Sequence, residues 1–515
     1  MIKLKLRLRV NQLLKMIKIP FRFTARRWRI FSITFLVSLG IFSYLTNPFV
    51  RFSIVTDPYQ LVTLENGQLQ LVEDKAIIVK DEAFFRNLAL LKSWWHLLIG
   101  KISGGNKLAK TSVDEIIKEI HERRFDPEMP YLISSDHFSV LYPRSLGIFY
   151  HSLLDPRTAL SETDWQNRQL IYLKTLAYLL QVYSKSDRLS TTVVPVGPRS
   201  VALINIWQPP ADTLYSLLYG LKVSQSEAFL TEIYPFEASE LRQLQINDEA
   251  GVLQAKYLES LKIHFEKYQE LVFDFETGLV KKNIHLSSTK DTALRQSSFY
   301  DNVIYYQTWQ LAQDLQIVAA DQAGLKALKQ RILTTFWDEA EGIFIEDLSQ
   351  QSLEQRLYSS DWLIVYMTGF LSPANPAELK YFVKNVDYIQ RNALDQPFAL
   401  QYHPDKRPWQ TQMMIRLMVP QYGSTTIWSN WGMEYTKLLA HLAQITGDEE
   451  YLEEAERQIQ AYSYNIKRYR GYPEVYDESG DFYRTFFYQS LRSPGWVVSF
   501  EQARALTLWT RSQVE

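Results

Sequence analysis

Acidic residues recur beside aromatic residues at long, regular intervals in this chain. Asp274, Asp338 and Asp477 each follow an aromatic residue, and each has a glycine three or four residues further on. The first two aspartates are 64 residues apart and the last two are 139 apart, close to twice that interval. Self-similarity at a fixed period indicates one supersecondary unit used repeatedly. The pattern predicts equivalent loops that bring acids and aromatic rings to one end of the fold, around a cleft.

The elements that must position these loops are mostly helices. Apolar residues recur at three- and four-residue spacing over 164–183, 213–221, 257–271 and 305–317, which is the period of an amphipathic helix. The roughly 400 residues from 110 to 515 accommodate six helical hairpins of this length. Six hairpins can close into an all-α (α/α)6 toroid, in which six outer helices surround six inner ones. An open solenoid of helical repeats is the alternative.

The charge of the chain is strongly polarised. The first 52 residues hold eleven basic groups and no acid, whereas the remainder carries 45 basic against 57 acidic residues. The body therefore lacks the basic excess of a nucleic-acid-binding protein, and we expect no nucleic-acid partner.

An uncharged segment of 21 residues lies between Arg29 and Arg51, and this length spans a hydrocarbon core as a helix. The basic residues before it predict a cytoplasmic N-terminus and an extracytoplasmic body in a single-pass cell-membrane protein. A cleaved signal peptide is the alternative, but no small-residue cleavage site follows Gly40, which favours an uncleaved signal-anchor. The absence of cysteine and of N-x-S/T sequons favours a bacterial-type cell envelope.

The remaining N-terminal region has the composition of a stem. Residues 59–72 alternate around Asn66 and Gly67, a strong hairpin signal, and Ser112 with Glu115 forms a capping box that begins a helix. The predicted organisation is a basic cytoplasmic segment at 1–29, a transmembrane anchor at 30–50, a stem with a β-hairpin and a linker helix at 53–107, and the toroid at 110–515.

Two further acids stand in motifs that could carry chemistry. Residues 472–480 read Y-P-E-V-Y-D-E-S-G and residues 297–302 read S-S-F-Y-D-N. These strings, within 110–515, resemble motifs of the six-hairpin glycosidases, the (α/α)6-toroid clan that includes trehalases, glucoamylase-like enzymes and the processing and debranching α-glucosidases. In that clan a glutamate in the C-terminal hairpin and an acid in a mid-chain loop are catalytic. The resemblance implies that Glu474 and Asp301 form the catalytic pair.

The chemistry implied by this resemblance is inverting hydrolysis of a glycosidic bond. Asp301 would protonate the leaving oxygen and Glu474 would activate water on the opposite side. Each acid also has a purely structural interpretation. Asp301 could cap the helix from Asn302 onward, and Glu474 could be a surface acid after Pro473. Asp361 could replace Asp301, bind a sugar hydroxyl or cap its own helix.

The substrate would be held by side chains from the loops that precede helices. Arg144 stands in Y-P-R-S-L-G, similar to an R-D element that holds the terminal sugar in several of these families, but Ser145 occupies the place of the aspartate. Trp496 could be either a stacking platform or a packed core residue, whereas Trp431 and Glu434 have the character of packing residues. The predicted substrate-binding residues are Arg144, Asp212, Asn302, Asp361, Trp362, Trp428 and Trp496.

Other chemistries find less support in the sequence. The eight histidines show no H-E-x-x-H pattern, so we expect no metal and no cofactor, and His403 reads as an ordinary polar loop residue. No G-x-S-x-G elbow is present. The sequence predicts a membrane-anchored, exported glycoside hydrolase that acts on an oligo- or polysaccharide. A non-catalytic glycan-binding or envelope-scaffold protein with the same toroid is the main alternative, and a polysaccharide lyase or an epimerase is a third.

Overall fold

A computed structural model describes residues 59–515, with gaps at 64–68, 74, 103–106, 136–139, 156–157, 159, 198, 206–208, 226–246 and 291–292. The predicted basic segment (1–29) and membrane anchor (30–50) lie outside the described residues. Within the described ranges, no helix combines the length and the apolar character needed to cross a membrane.

Helices of two kinds alternate along the body from residue 113 onward. The outer helices are Val113–Arg124, Glu162–Tyr183, Asn247–Val272, Gln322–Phe336, Pro376–Arg391 and Glu449–Tyr469. Between and after them lie six inner positions. The first consists of the two 3-10 turns Pro143–Ser145 and His151–Leu154, and the fourth consists of the short elements Ser360–Leu363 and Ile364–Met367. The second, third, fifth and sixth are the helices Thr213–Gln225, Phe299–Asp314, Ser429–Thr446 and Val498–Val514.

The inner positions form a closed ring. Each contacts the next one along the chain, and Val498–Val514 packs against both Ser429–Thr446 and His151–Leu154. Contact between the last inner helix and the first inner position distinguishes a toroid from an open superhelix. The predicted (α/α)6 arrangement is therefore present in the described part of the chain, and the solenoid alternative is wrong. Two of the six inner positions, the first and the fourth, are only short helical turns.

The inner and outer helices differ in how much of their surface is buried. The inner helix Ser429–Thr446 is buried on every side from residue 429 to residue 443, as expected for a helix surrounded by other elements. The outer helix Glu449–Tyr469 buries one stripe that includes Leu452, Tyr462 and Ile466 and leaves its charged face in solvent. The four stretches whose period predicted helices are divided between the rings: 164–183 and 257–271 lie in outer helices, and 213–221 and 305–317 lie in inner ones.

Side-chain caps fix where several helices begin. Ser112 Oγ accepts from the backbone N–H of Glu115 and donates to its carboxylate at 2.7 Å, so the two residues of the predicted capping box meet at the start of this helix. Ser298 accepts from the N–H of Asp301 at 3.1 Å, and the helix begins at Phe299. The idea that Asp301 caps a helix from Asn302 onward is thus wrong, because Ser298 performs that role one turn earlier.

Strands are short in the described chain, and one group of them was not predicted. Tyr59–Thr63 pairs with Leu69–Glu73 in the expected hairpin. In addition, Ser200–Ile204 pairs antiparallel with Thr192–Gly197 and parallel with Ile78–Val79. The helix Ala83–Ile102 packs on this three-stranded sheet. The sheet lies in the connection between an outer and an inner helix, where helical periodicity gives no signal.

The recurring aspartates of the sequence are turn residues. The carboxylates of Asp274, Asp338 and Asp477 each accept backbone N–H groups two or more residues later, at 2.9 to 3.2 Å. The glycine that follows each of them, at 278, 342 and 480, has a positive φ of 65°, 72° and 82°, which glycine adopts without a Cβ penalty. The period therefore marks equivalent turns, as expected, but its acids close these turns, and none of them lines the cavity at the mouth of the toroid.

Candidate active site

A cavity of about 130 Å³ opens at the end of the toroid where the chain passes from outer helices to inner ones. Its walls come from the first, third, fifth and sixth of these outer-to-inner connections, which confirms that distant loops meet at one mouth. The residues that line it are Ser134, Tyr142, Arg144, Ser145, Phe149, Thr289, Lys290, Tyr422, Gly423, Trp428, Glu474 and Trp496. Four predicted site residues, Arg144, Trp428, Glu474 and Trp496, are thus brought together.

Glu474 is a buried carboxyl group in this cavity. Only 7% of the residue is exposed, and Tyr488 donates its hydroxyl to Glu474 Oε2 at 2.8 Å. Burial raises the pKa of Glu474 to about 7, and hydrogen bonds from the Tyr488 and Tyr422 hydroxyls oppose that rise. The interpretation of Glu474 as a surface loop acid is therefore wrong. A carboxyl group with such a pKa exchanges protons near neutral pH, as acid-base catalysis requires.

The backbone around Glu474 is held from two sides. The next two residues, Val475 and Tyr476, pair with Ile427–Trp428 in a short antiparallel ladder. Ser429, the first residue of an inner helix, donates both its N–H and its hydroxyl to the Glu474 carbonyl oxygen at 3.0 Å. The start of one inner helix therefore fixes the position of a carboxyl group that belongs to the next connection.

Arg144 lies on another wall of the cavity and is held by buried groups. Its Nη1 donates to the Ser288 carbonyl oxygen, and its Nε lies 3.5 Å from Oδ1 of Asp212. Asp212 is fully buried and also accepts from the Tyr300 hydroxyl at 3.1 Å. The carboxylate that faces Arg144 thus belongs to Asp212, just before the next inner helix. An aspartate at position 145, where this chain has serine, is therefore not needed to hold Arg144. Asp212 itself does not line the cavity.

Lys290 is the second cation in the cavity wall, and no motif in the sequence marks it. Its ammonium lies 2.5 Å from Glu346 Oε1, touches His403 Nε2 and sits 4.9 Å from the centre of the Tyr402 ring. Burial lowers the pKa of Lys290 to about 8, although the Glu346 carboxylate opposes the change.

Residue His403 belongs to this buried cluster. It is fully buried, and its Nδ1 lies 2.6 Å from the Tyr358 carbonyl oxygen. Because a carbonyl only accepts, Nδ1 carries the proton and Nε2 accepts from Lys290. The prediction that His403 is an ordinary polar loop residue is wrong. Arg407 completes the cluster through Nη1, 2.7 Å from Glu346 Oε2.

Asp301 is not among the residues that line the cavity. It is 4% exposed, and its Oδ1 accepts no hydrogen bond from the described residues. Burial raises the pKa of Asp301 to about 6, and the Arg295 guanidinium opposes this. Arg295 donates to Asp361 at 2.6 Å and to the Ser288 hydroxyl at 2.7 Å, so Asp301 and Asp361 share one cation behind the wall. The catalytic role of Asp301 stays a prediction.

Two further predicted residues, Asn302 and Trp362, have mainly internal partners. Asn302 donates to the Ser298 carbonyl at 2.8 Å and accepts from the N–H of Val280 at 2.9 Å, so it ties a hairpin to an inner helix. The Trp362 indole is 1% exposed, donates to the Tyr358 hydroxyl at 2.9 Å and packs near Phe344. That is a core environment outside the cavity, and it argues against substrate contact by Trp362.

The aromatic walls of the cavity come from several connections. Trp428 donates its indole N–H to the Tyr422 carbonyl at 2.8 Å, which fixes its ring. The Trp496 ring centre lies 5.2 Å from that of Phe149, and its indole N–H has no hydrogen-bond partner among the described residues. Flat apolar faces with a few polar groups between them suit a sugar ring, which is apolar on its faces and polar at its edges.

No group of three or more histidines, acids or cysteines with the geometry of a metal site occurs in the described ranges.

Neither a protein-family model nor a curated protein sequence matches the chain. Its fold is similar to solved structures that include a glucoamylase from Saccharomycopsis fibuligera, with a TM-score of 0.47 and 12% identity over 79% of this chain and 98% of that one. They also include the GH63 mannosylglycerate hydrolase from Thermus thermophilus, with a TM-score of 0.45 and 11% identity over 77% and 100%. A rhamnosidase from Klebsiella oxytoca gives a TM-score of 0.44 and 13% identity over 77% of this chain and 65% of its own.

Proposed function

We propose that this chain is a glycoside hydrolase that acts on an oligo- or polysaccharide, with Glu474 as a catalytic carboxyl group. The observation that carries the proposal is the state of Glu474, which is buried in an aromatic-walled cavity at the toroid mouth with a pKa raised to about 7. A carboxyl group in such a place stays close to half-protonated at neutral pH, so it can either give or take a proton there.

The proposed mechanism is inversion, with Glu474 as base and Asp301 as acid. In an inverting pair the acid must hold its proton while the base has lost it. With pKa values of about 6 for Asp301 and about 7 for Glu474, that form is a minority of the free enzyme, on the order of one molecule in twenty at its best pH. We therefore expect a narrow bell-shaped profile of kcat/KM with limbs near these two pKa values.

Substrate binding would use the other walls of the cavity. The rings of Trp428 and Trp496 offer stacking faces, and the indole N–H of Trp496, which has no partner among the described residues, offers a donor to a sugar hydroxyl. Arg144 and Lys290 are held by internal carboxylates, so they present fixed donors to a ligand at little cost in side-chain entropy.

The test is release of reducing ends from a panel of envelope and storage glycans. We expect Glu474→Gln to lower kcat by a factor of about 10² to 10⁴, since proton transfer by a positioned group contributes this much. Glu478→Gln is the matched control, because Glu478 lies in the same connection, is exposed and pairs with Lys406 at 2.9 Å. Full activity of the Glu474 variant would reject the assignment.

One observation favours a second function, a non-catalytic glycan-binding or scaffold protein. Among the residues that line the described cavity, Glu474 is the one carboxylate, and Asp301 lies behind the wall. This alternative predicts glycan binding by calorimetry with no release of reducing ends, and unchanged affinity on Glu474→Gln.

The proposed location is the outer side of a cell membrane, with the body carried by residues 30–50. The uncharged stretch and the basic residues before it support this topology. A reporter enzyme that is active only outside the cytoplasm, fused after residue 515, would be active if the topology is right and inactive if it is not.

A further inference from the structure

Large apolar side chains are exposed beside the mouth of the cavity. We call this surface the apolar rim; it consists of Met413, Leu417, Phe486 and Phe487, which are 63%, 66%, 85% and 45% exposed. Met413 and Leu417 stand on the short helix Met413–Met418, and the two phenylalanines stand in the sixth outer-to-inner connection. Four such residues in one place are more than the scattered single apolar residues of an ordinary surface.

Hydrogen bonds make the rim one continuous surface. The Thr485 hydroxyl donates to the Met418 carbonyl oxygen at 2.7 Å, and the Tyr483 hydroxyl donates to the Pro420 carbonyl oxygen at 2.7 Å. These bonds join the end of the short helix to the segment that carries Phe486 and Phe487. Tyr488, the next residue, reaches inward to Glu474. The rim therefore adjoins the candidate active site.

Cations without acidic partners accompany the rim. Arg416 and Arg484 are exposed, and neither forms an ion pair with a carboxylate among the described residues. Lys101 donates to the Thr485 carbonyl oxygen. Burial, and then the nearby Arg484 guanidinium, lower the pKa of Lys101, so these two cations lie close enough to repel each other.

The composition of the rim selects among possible occupants. A glycan would use flat aromatic faces, whereas methionine and leucine side chains offer it nothing to stack on. A second copy of this chain would bring the same positive charges against each other. A membrane surface with anionic headgroups suits both features, because apolar and aromatic side chains enter the acyl boundary while basic groups contact the headgroups.

We propose that the apolar rim docks on the surface of a membrane that contains anionic lipids, so that the mouth of the cavity faces that membrane. The sequence supports the presence of a membrane within reach, since the chain carries an uncharged stretch of spanning length at 30–50. Docking depends on the rim alone and not on the proposed hydrolysis.

The chain has no cysteine, so single cysteines can report on the rim without further changes. Leu417→Cys and Phe486→Cys are labelled with an environment-sensitive fluorophore in the full chain. The labelled chain is reconstituted with phosphatidylcholine vesicles that do or do not contain phosphatidylglycerol, and quenching by doxyl-labelled lipids is measured. Leu508→Cys is the matched control, because Leu508 is 65% exposed in the C-terminal half of an inner helix, away from the mouth.

We expect a blue-shifted emission at positions 417 and 486, and quenching at least about twofold stronger than at 508. The difference should grow with phosphatidylglycerol and shrink with salt. Equal quenching at all three positions would overturn the proposal. A blue shift at 417 and 486 without lipid quenching would overturn it as well, because it would show a protein occupant such as a second copy. Either failure leaves the reducing-end test of Glu474 unaffected.

Discussion

The hydrogen bond from Tyr488 to Glu474 controls the protonation of the candidate catalytic group. The hydroxyl lies 2.8 Å from Glu474 Oε2, and it stabilises the ionised form. A hydrogen bond to a charged group contributes about 1.5–3 kcal/mol, and one pKa unit corresponds to about 1.4 kcal/mol. Tyr488→Phe removes this bond and should raise the pKa of Glu474 by about one to two units, from about 7 to about 8 or 9.

The assay is the pH dependence of kcat/KM on a glycan that the enzyme cleaves. The limb near pH 7 should move up by the same one to two units, while the limb near pH 6 stays in place. If Glu474 is the base, the form with ionised Glu474 and protonated Asp301 becomes rarer, so the maximum falls roughly tenfold or more. If Glu474 is instead the acid, the profile broadens and the maximum does not fall. The height of the maximum therefore distinguishes the two roles.

Tyr483→Phe is the matched control, because its hydroxyl donates to the Pro420 carbonyl oxygen and not to Glu474. It should leave both limbs in place. A Tyr488→Phe enzyme whose upper limb does not move, or moves toward acid, would refute the argument that burial and this hydrogen bond set the pKa of Glu474.

Two stability predictions concern buried charge. The pKa of Glu474 is raised from 4.5 to about 7 in the folded protein, so ionisation of Glu474 destabilises the fold above pH 7 and has no effect below pH 4.5. Glu474→Gln should therefore stabilise the protein at pH 8 by up to about 3 kcal/mol and leave its stability unchanged near pH 4. Urea unfolding at the two pH values measures this, and equal effects at both would contradict the burial argument. Lys290→Met removes an ion-pair partner of the buried Glu346 and should lower the free energy of unfolding by about 3 kcal/mol. Lys406→Met, which breaks the exposed pair with Glu478, should lower it by less than about 1 kcal/mol. Similar melting temperatures for the two variants would show that the Lys290 cluster does not stabilise the fold.

The helical rings could be predicted because they repeat a physical pattern. An amphipathic stripe such as that of Glu449–Tyr469 indicates an outer helix by its period. The inner positions at 143–154 and 360–367 are too short and too uniformly buried to show any period, so the sequence located them only through the count of hairpins. The sheet formed by Thr192–Gly197 and Ser200–Ile204 was missed because its strands are short and one contains Pro195.

Some residues of the candidate site could be predicted and others could not, because acidic residues serve both in turns and in clefts. Asp274 and Asp477 hold backbone N–H groups in turns, and an aspartate in a turn has the same sequence appearance as one in a cleft. Glu474 was found through a motif, not through spacing. Lys290 was missed because its partners Glu346 and His403 are 56 and 113 residues away. Contacts of that range arise where successive connections meet at one end of the ring, and they leave no local trace in the sequence.

Closure of the ring also has a consequence for the order of assembly. Gln502, on the sixth inner helix, donates to Asp155 at 3.0 Å across 347 residues of chain. It also accepts from Lys437 at 2.9 Å. Partial chains that end before Gly495 have a gap in the wall and no Trp496 platform. During synthesis, the first and the fifth inner positions must therefore each wait with one flank open, exposed to proteases and to aggregation, until the helix Val498–Val514 is made and closes the ring.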